Sequence, residues 1–309
     1  MGKIFWIKIA AVLIGLLAMH IAMLPFVDGN TSITLSKVSN GQHKHLVIGT
    51  SRIAQAVQPK TLEETTNRRF LNFAIDAATT SYSESYNRAI EKIIPTDCKD
   101  GIFILAMDPW TITSFHNPVN GEVMEPEKEA TLSKQITITN QLNLEYLIRD
   151  FRDGWGQILL TYLRSNSTVV GHDDGWIEVT RPDDADFVSA RMAKKIKAKR
   201  KEMAHAFISE ERKKALESLL LYLKPLGQIY FVRLPVDPEY LELEQELHPH
   251  FDAFVDSLQK RFQIPYYDMQ RHSSEVVFND GHHINKAYAP AMSKLIAEWI
   301  MAQANSQKP

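Results

Sequence analysis

The sequence predicts an α/β protein: a doubly wound parallel sheet with a long insertion, preceded by one N-terminal transmembrane helix. Three observations predict it. Short apolar runs recur at 45–49, 69–75, 101–107, 228–234 and 264–267, and they are continuous rather than alternating. Continuous runs mark strands covered on both faces. Helical patterns lie between these runs, and strands that alternate with helices build parallel sheets. The start of the chain is apolar over 9–27 except for His20, with Lys3 and Lys8 ahead of it.

A helix over that first segment spans about 28 Å at ~1.5 Å per residue, close to the hydrocarbon thickness of a bilayer. A cleavable signal peptide is the competing reading. It has a shorter apolar core and a small-x-small cleavage site. Here Ala18 and Ala22 are both followed by further apolar residues. The segment 1–27 is therefore read as an uncleaved anchor, with secretion after cleavage as the alternative. The two early lysines place the N-terminus in the cytoplasm and the domain outside, in a periplasmic or extracellular space. Residues 28–44, rich in Gly, Asn, Ser and Thr, read as a polar tether to a domain at 45–309.

The first strand ends in Gly49-Thr50-Ser51-Arg52. A helix is expected at 83–94, after the second strand. Another is expected at 209–223, where Ser209 suits the N-cap, Glu210 and Glu211 occupy the first turn and Pro225-Leu226-Gly227 closes it. A third is expected at about 251–262. The stretch 110–203 breaks the alternation and reads as an insertion or lid; with its flanks it holds three of the five tryptophans. Within it, Gly171-His172-Asp173-Asp174-Gly175-Trp176 reads as a solvated turn. The basic run Arg191, Lys194, Lys195, Lys197, Lys199, Arg200 and Lys201 reads as a solvated helix face.

A net charge of −2 gives no case for nucleic-acid binding. The single cysteine, Cys98, excludes an intrachain disulfide. No Cys, His or carboxylate spacing stands out as a metal-ligand set, so neither metal nor cofactor is expected.

The chemistry is carried by Asn279-Asp280-Gly281-His282-His283-Ile284-Asn285, a loop just before the last helix. An Asp three positions before a His can orient the imidazole, which can then take a proton from a hydroxyl nucleophile. Ser51, presented by the turn after the first strand, is the nucleophile candidate. In open parallel sheets the site lies at the C-terminal ends of the strands. Ser51, Asp76-Ala77 and Asp108 all follow strand ends.

Gly49-Thr50-Ser51-Arg52 near the start of the domain, with Asp280-x-x-His283-Ile284-Asn285 near its end, resembles the SGNH/GDSL hydrolase superfamily. The form with an N-terminal membrane helix resembles anchored relatives linked to acylation of cell-surface polymers. The resemblance implies a flavodoxin-like sheet, with Ser51 as nucleophile, His283 as general base and Asp280 as the group that orients His283. His282 is a spectator by the same spacing. Two positions depart from the family pattern. Ala77 stands where a glycine amide helps bind the oxyanion. Asp108 stands where an asparagine usually donates, and an ionised carboxylate only accepts. Arg52 either holds an anionic substrate group or pairs with a core carboxylate. The resemblance implies an esterase or O-acyltransferase acting on an acylated glycan or surface polymer, with a membrane-embedded acyltransferase as a partner. The rival reading is an inactive module that binds a glycan or an envelope-assembly partner.

Overall fold

Five short apolar strands form the centre of the computed structural model, which describes residues 2–23, 37–38, 40–75, 81–124, 126–129, 132 and 168–306. They are β1 (His45–Ile48), β2 (Phe70–Asn72), β3 (Gly101–Ala106), β9 (Gly227–Arg233) and β10 (Tyr266–Asp268). Their order across the sheet is β2-β1-β3-β9-β10. Every pairing is parallel, with Leu46 opposite Leu71 and Phe103, and Leu105 opposite Phe231. The strands fall where the apolar runs predict them, with ends shifted by one to three residues.

Side chains alternate across each strand, and both faces are covered. Leu46, Ile48, Phe103, Leu105, Ile229 and Phe231 pack on one side against α4 (Glu84–Ile93), α6 (Glu210–Leu223) and α8 (Phe251–Phe262). Val47, Ile104, Tyr230 and Val232 pack on the other against α2 (Ser51–Ala56), α3 (Pro59–Thr66) and α9 (Ala289–Ser306). The caps follow the sequence: Ser83 Oγ accepts from Tyr86 N, and Ser209 Oγ accepts from Arg212 N. The described protein is thus a mixed α/β fold on a parallel central sheet. It also has an apolar N-terminal helix, α1 (Gly2–Met23), long and apolar enough to cross a membrane. Trp6, Leu13 and Leu17 of α1 are exposed.

The chain between β3 and β9 departs from simple alternation, as expected, but the departure runs past 203. Its described part holds β4 (Thr113–His116), β5 (Val123–Met124), the hairpin β6 (Thr168–Gly171) and β7 (Ile177–Thr180), α5 (Ala185–Met203) and β8 (Ala206–Ile208). β8 pairs antiparallel with β4, which draws residues to 208 into the same excursion. The His172-Asp173-Asp174-Gly175 turn joins β6 to β7 but is not wholly solvated. Asp174 O accepts from Asn72 N at the end of β2, and Trp176 Nε1 donates to Gln55 O on α2. The hairpin therefore leans on the elements around β1. Helix α7 (Pro238–Leu247), which the periodicity did not single out, follows β9.

The tether is a second correction. Residues 28–36 lie outside the described residues, but Lys37 is only 1% exposed and belongs to the folded domain. Its Nζ donates to Ala74 O at 2.6 Å, just after β2. Burial pushes this ammonium down to about 7, against an upward pull from the Asp174 carboxylate. Its unfolded value is about 10.4, so between pH 7 and 10 the unfolded chain holds a proton that the folded chain has released. Stability then rises with pH on this account. Wild type should gain on Lys37→Met as pH is raised from 7 to 10, read as the difference in urea midpoint. A pH-independent difference would contradict the burial of this amine.

Candidate active site

The C-terminal end of β1 sets the site. Gly49 has φ +151, and a Cβ there would lie 2.6 Å from Ala106 Cβ and 2.9 Å from Ile53 Cγ2. Glycine is required both for the turn and for the close approach to β3. Tyr86 Oη accepts from Gly49 N at 3.2 Å and lies 2.8 Å from Phe73 O. Asn72 Nδ2 donates to Ile53 O and Val57 O, fastening α2 from below. Ser51, the first residue of α2, is held by this scaffold at the helix entrance. Thr50 precedes it without capping the helix through its side chain.

The other half of the site comes from the far end of the chain. The loop 279–285 closes on itself: Asn279 N donates to His283 O and Asn285 N to Val277 O. Gly281 sits at φ +89, and its carbonyl accepts from Asp237 N at the start of α7. Asp280 Oδ1 accepts from His283 N at 3.1 Å, and the carboxylate lies 3.0 Å from His283 Nδ1 through Oδ2. His283 Nε2 lies 3.0 Å from Ser51 Oγ. A carboxylate accepts, so Nδ1 carries the ring proton and Nε2 is free to accept from the hydroxyl. Burial pushes the Asp280 carboxyl up. The field and hydrogen bond of His283, then His282 and Lys195, outweigh burial and hold it well below the usual carboxylate range. Asp280 is thus the fixed anion of the group.

His282 is buried and stacks on Tyr240 with centroids 4.7 Å apart. Its Nδ1 is 3.3 Å from Asp280 Oδ1 but makes no hydrogen bond. Burial and the neighbouring His283 hold this ring well below the ordinary histidine range, against the pull of Asp280, so it is neutral. Asp280, His282 and His283 offer donor atoms within 4.8 Å of one another and form a cluster able to hold an ion. An ion there would take the carboxylate oxygen and the Nδ1 that orient His283.

Arg52 and Asp108 face each other. Of the two readings left open for Arg52, the core ion pair is what the geometry presents. Its Nη1 lies 2.7 Å from Glu244 Oε1 and 3.5 Å from Asp108 Oδ2, with the side chain 5% exposed. Asp108 Oδ1 accepts from Trp110 N and caps the 3₁₀ turn that follows β3. The carboxylate is turned onto Arg52 and the backbone, which takes up its charge. Ala77 lies outside the described residues.

Sequence reasoning missed Glu244, Arg233 and the cations over the loop. Glu244 lies on α7, fully buried, and its other oxygen is 3.2 Å from Arg233 Nη2. Burial pushes its carboxyl up, while Arg52 and Arg233 pull it down. The signal was its place on the apolar stripe of α7 with Tyr240 and Leu243, since a carboxylate there must find a cation. Arg181 Nη1 lies 3.6 Å from Asp280 Oδ2, and Arg191 Nε donates to Asn279 O at 2.9 Å.

No protein-family model matches the chain, and no curated protein matches it.

Among the described residues, Arg52→Met would leave Asp108 facing no cation and Glu244 facing only Arg233. Removing one member of a buried ion network typically costs about 3–5 kcal/mol. The variant should unfold at clearly lower urea concentration than wild type, and an unchanged midpoint would contradict the network. Asp108→Asn keeps the acceptor but loses the charge, and should cost less, about 1–3 kcal/mol.

Proposed function

We propose that this chain is a membrane-anchored, extracytoplasmic esterase or O-acyltransferase of the SGNH type, acting on a glycan or other cell-surface ester through a Ser51 acyl-enzyme. The observation that carries the reading is the unbroken chain Ser51 Oγ, His283 Nε2, His283 Nδ1, Asp280, with 3.0 Å at each polar contact. Two further observations support it. The strand order β2-β1-β3-β9-β10 is that of flavodoxin-like sheets, with the site at the C-terminal end of β1. The apolar α1 precedes the domain and is long enough for a single-pass anchor.

The chemistry follows from the geometry. Ser51 Oγ attacks the ester carbonyl while its proton passes to His283 Nε2. Asp280 holds the ring in the required tautomer and stabilises the imidazolium that forms. The tetrahedral intermediate expels the alcohol, which takes the proton from Nε2, and the acyl group remains on Ser51. A water then releases an acid, or a sugar hydroxyl takes the acyl group; His283 accepts the proton of the attacking O–H and gives it to Ser51 Oγ as the acyl–oxygen bond breaks. In transfer, the acyl donor is a membrane-embedded acyltransferase partner. A second reading, a binding module without catalysis, draws on one observation. Asp108, turned onto Arg52, offers no donor where the family carries one.

A serine-directed fluorophosphonate should label the full-length chain at Ser51. Ser51→Ala should abolish labelling, and Asp280→Asn should slow it on the order of 10³- to 10⁴-fold by favouring the wrong tautomer. A folded chain without labelling moves the assignment to the binding module. In membranes, the full-length chain should stay in the pellet after an alkaline carbonate wash. A mature N-terminus beginning after residue 20 would show cleavage instead.

A further inference from the structure

The basic run of α5 does not simply face water. Arg191, Lys195 and Lys199 recur every four residues, which places them on one side of the helix. Arg191 donates through Nη2 to Pro182 O at 2.6 Å, as well as to Asn279 O at 2.9 Å, and so pins the helix to the catalytic loop. Lys199 Nζ lies over the Trp110 ring at 4.2 Å and pairs with Glu202 at 2.7 Å. Lys195 lies between them, half-buried, with no carboxylate within ion-pair distance among the described residues. Burial acts on it most, and after burial the field of Asp280. Arg181 reaches Asp280 from the loop before α5 and is 30% exposed. The acidic residues at the start of α5, Asp183, Asp184 and Asp186, pair with neither Lys195 nor Arg181.

Arg181 and Arg191 thus contact the loop, and Lys195 shares the face of α5 that Arg191 turns to it, while Lys199 is taken up by Glu202 and the Trp110 ring. Asp280 is already engaged by His283. Burial pushes the Lys195 ammonium down, against the pull of Asp280, because the amine lacks a direct partner. A half-buried lysine without a counter-ion costs stability unless something brings one.

We propose that Lys195, with Arg181, binds an anionic oxygen group, carboxylate or phosphate, carried by the substrate beside the ester that Ser51 attacks. This rests on the reading of Ser51, His283 and Asp280 as the reacting site, and it narrows the substrate from a glycan to an anionic polymer. The cations give the polymer a register: the charged group docks on α5 and leaves the neighbouring acyl ester at Ser51. Arg181 and Lys195 then serve two roles, holding Asp280 ionised and selecting the substrate.

The test uses the full-length chain in detergent with three esters of nearly the same shape: 4-acetoxybenzoate, 4-acetoxyphenyl phosphate and the neutral 4-acetoxybenzamide. Wild type should favour one or both anions over the amide in kcat/KM by about tenfold, the effect of a charge-assisted hydrogen bond. The anion favoured tells carboxylate from phosphate. Lys195→Met should bring the ratio close to one and Lys195→Arg should keep it. Using a ratio cancels any effect of Lys195 on Asp280 and hence on turnover itself. A wild-type ratio near one, or a ratio unchanged in Lys195→Met, overturns the proposal. If no ester is turned over and Ser51 is not labelled, the reacting-site reading fails separately. Retention on immobilised polyuronate against neutral glucan then decides the anion site. Retention weakened in Lys195→Met supports it, and absent or unchanged retention overturns it.

Discussion

The hydrogen bond between Ser51 and His283 joins residues 232 positions apart, and the rest of the architecture serves to make that contact possible. A parallel sheet puts the C-terminal ends of all its strands on one edge, so loops far apart in sequence converge there. Ser51 leaves β1, which lies between β2 and β3, through a turn that only glycine fits at Gly49. His283 arrives from the opposite end of the chain on a loop closed by its own backbone hydrogen bonds. Neither half depends on a long flexible side chain, which keeps the serine and the imidazole in register before any substrate arrives.

Charge burial supports this geometry and also costs it something. Arg52 on α2 meets Glu244 on α7, and Arg233 and Asp108 complete the set. Well-packed apolar side chains of similar size stabilise a core as well or better. The ions give direction instead: Arg52 ties α2 to α7 and to the end of β9 and takes up the Asp108 carboxylate. The Nε atoms of both arginines lack partners, so the network is under-satisfied even as it stands. A site tolerates such a cost where position matters more than stability.

The sheet was legible in the sequence because buried strands write themselves as continuous apolar runs. All five were found, as were α4, α6 and α8, whose caps and amphipathic patterns are local. The loop around Asp280 and His283 was legible for the same reason, since its spacing is a local signal. The antiparallel excursion after β3 was visible only as a break in pattern. Its strands are two to four residues long, and β8 pairs with β4 across more than ninety residues. Lys37 looked like part of a polar tether because composition cannot reveal that one amine turns inward onto Ala74. The pairing of Arg52 with Glu244 is a contact across 192 residues and leaves no local trace. Lys195 sat in plain view within a basic run, but which of its neighbours faces the loop depends on the phase of α5 against the rest of the domain.

The central claim is that Ser51 carries an acyl group during turnover, with His283 as its base. The most direct measurement is peptide mapping after brief exposure of the full-length chain to an activated acetyl ester and an acid quench. The account predicts acetyl on Ser51 in wild type and none there in His283→Ala over the same interval. Acetyl found only elsewhere, or on Ser51 at the same level in both proteins, would contradict it.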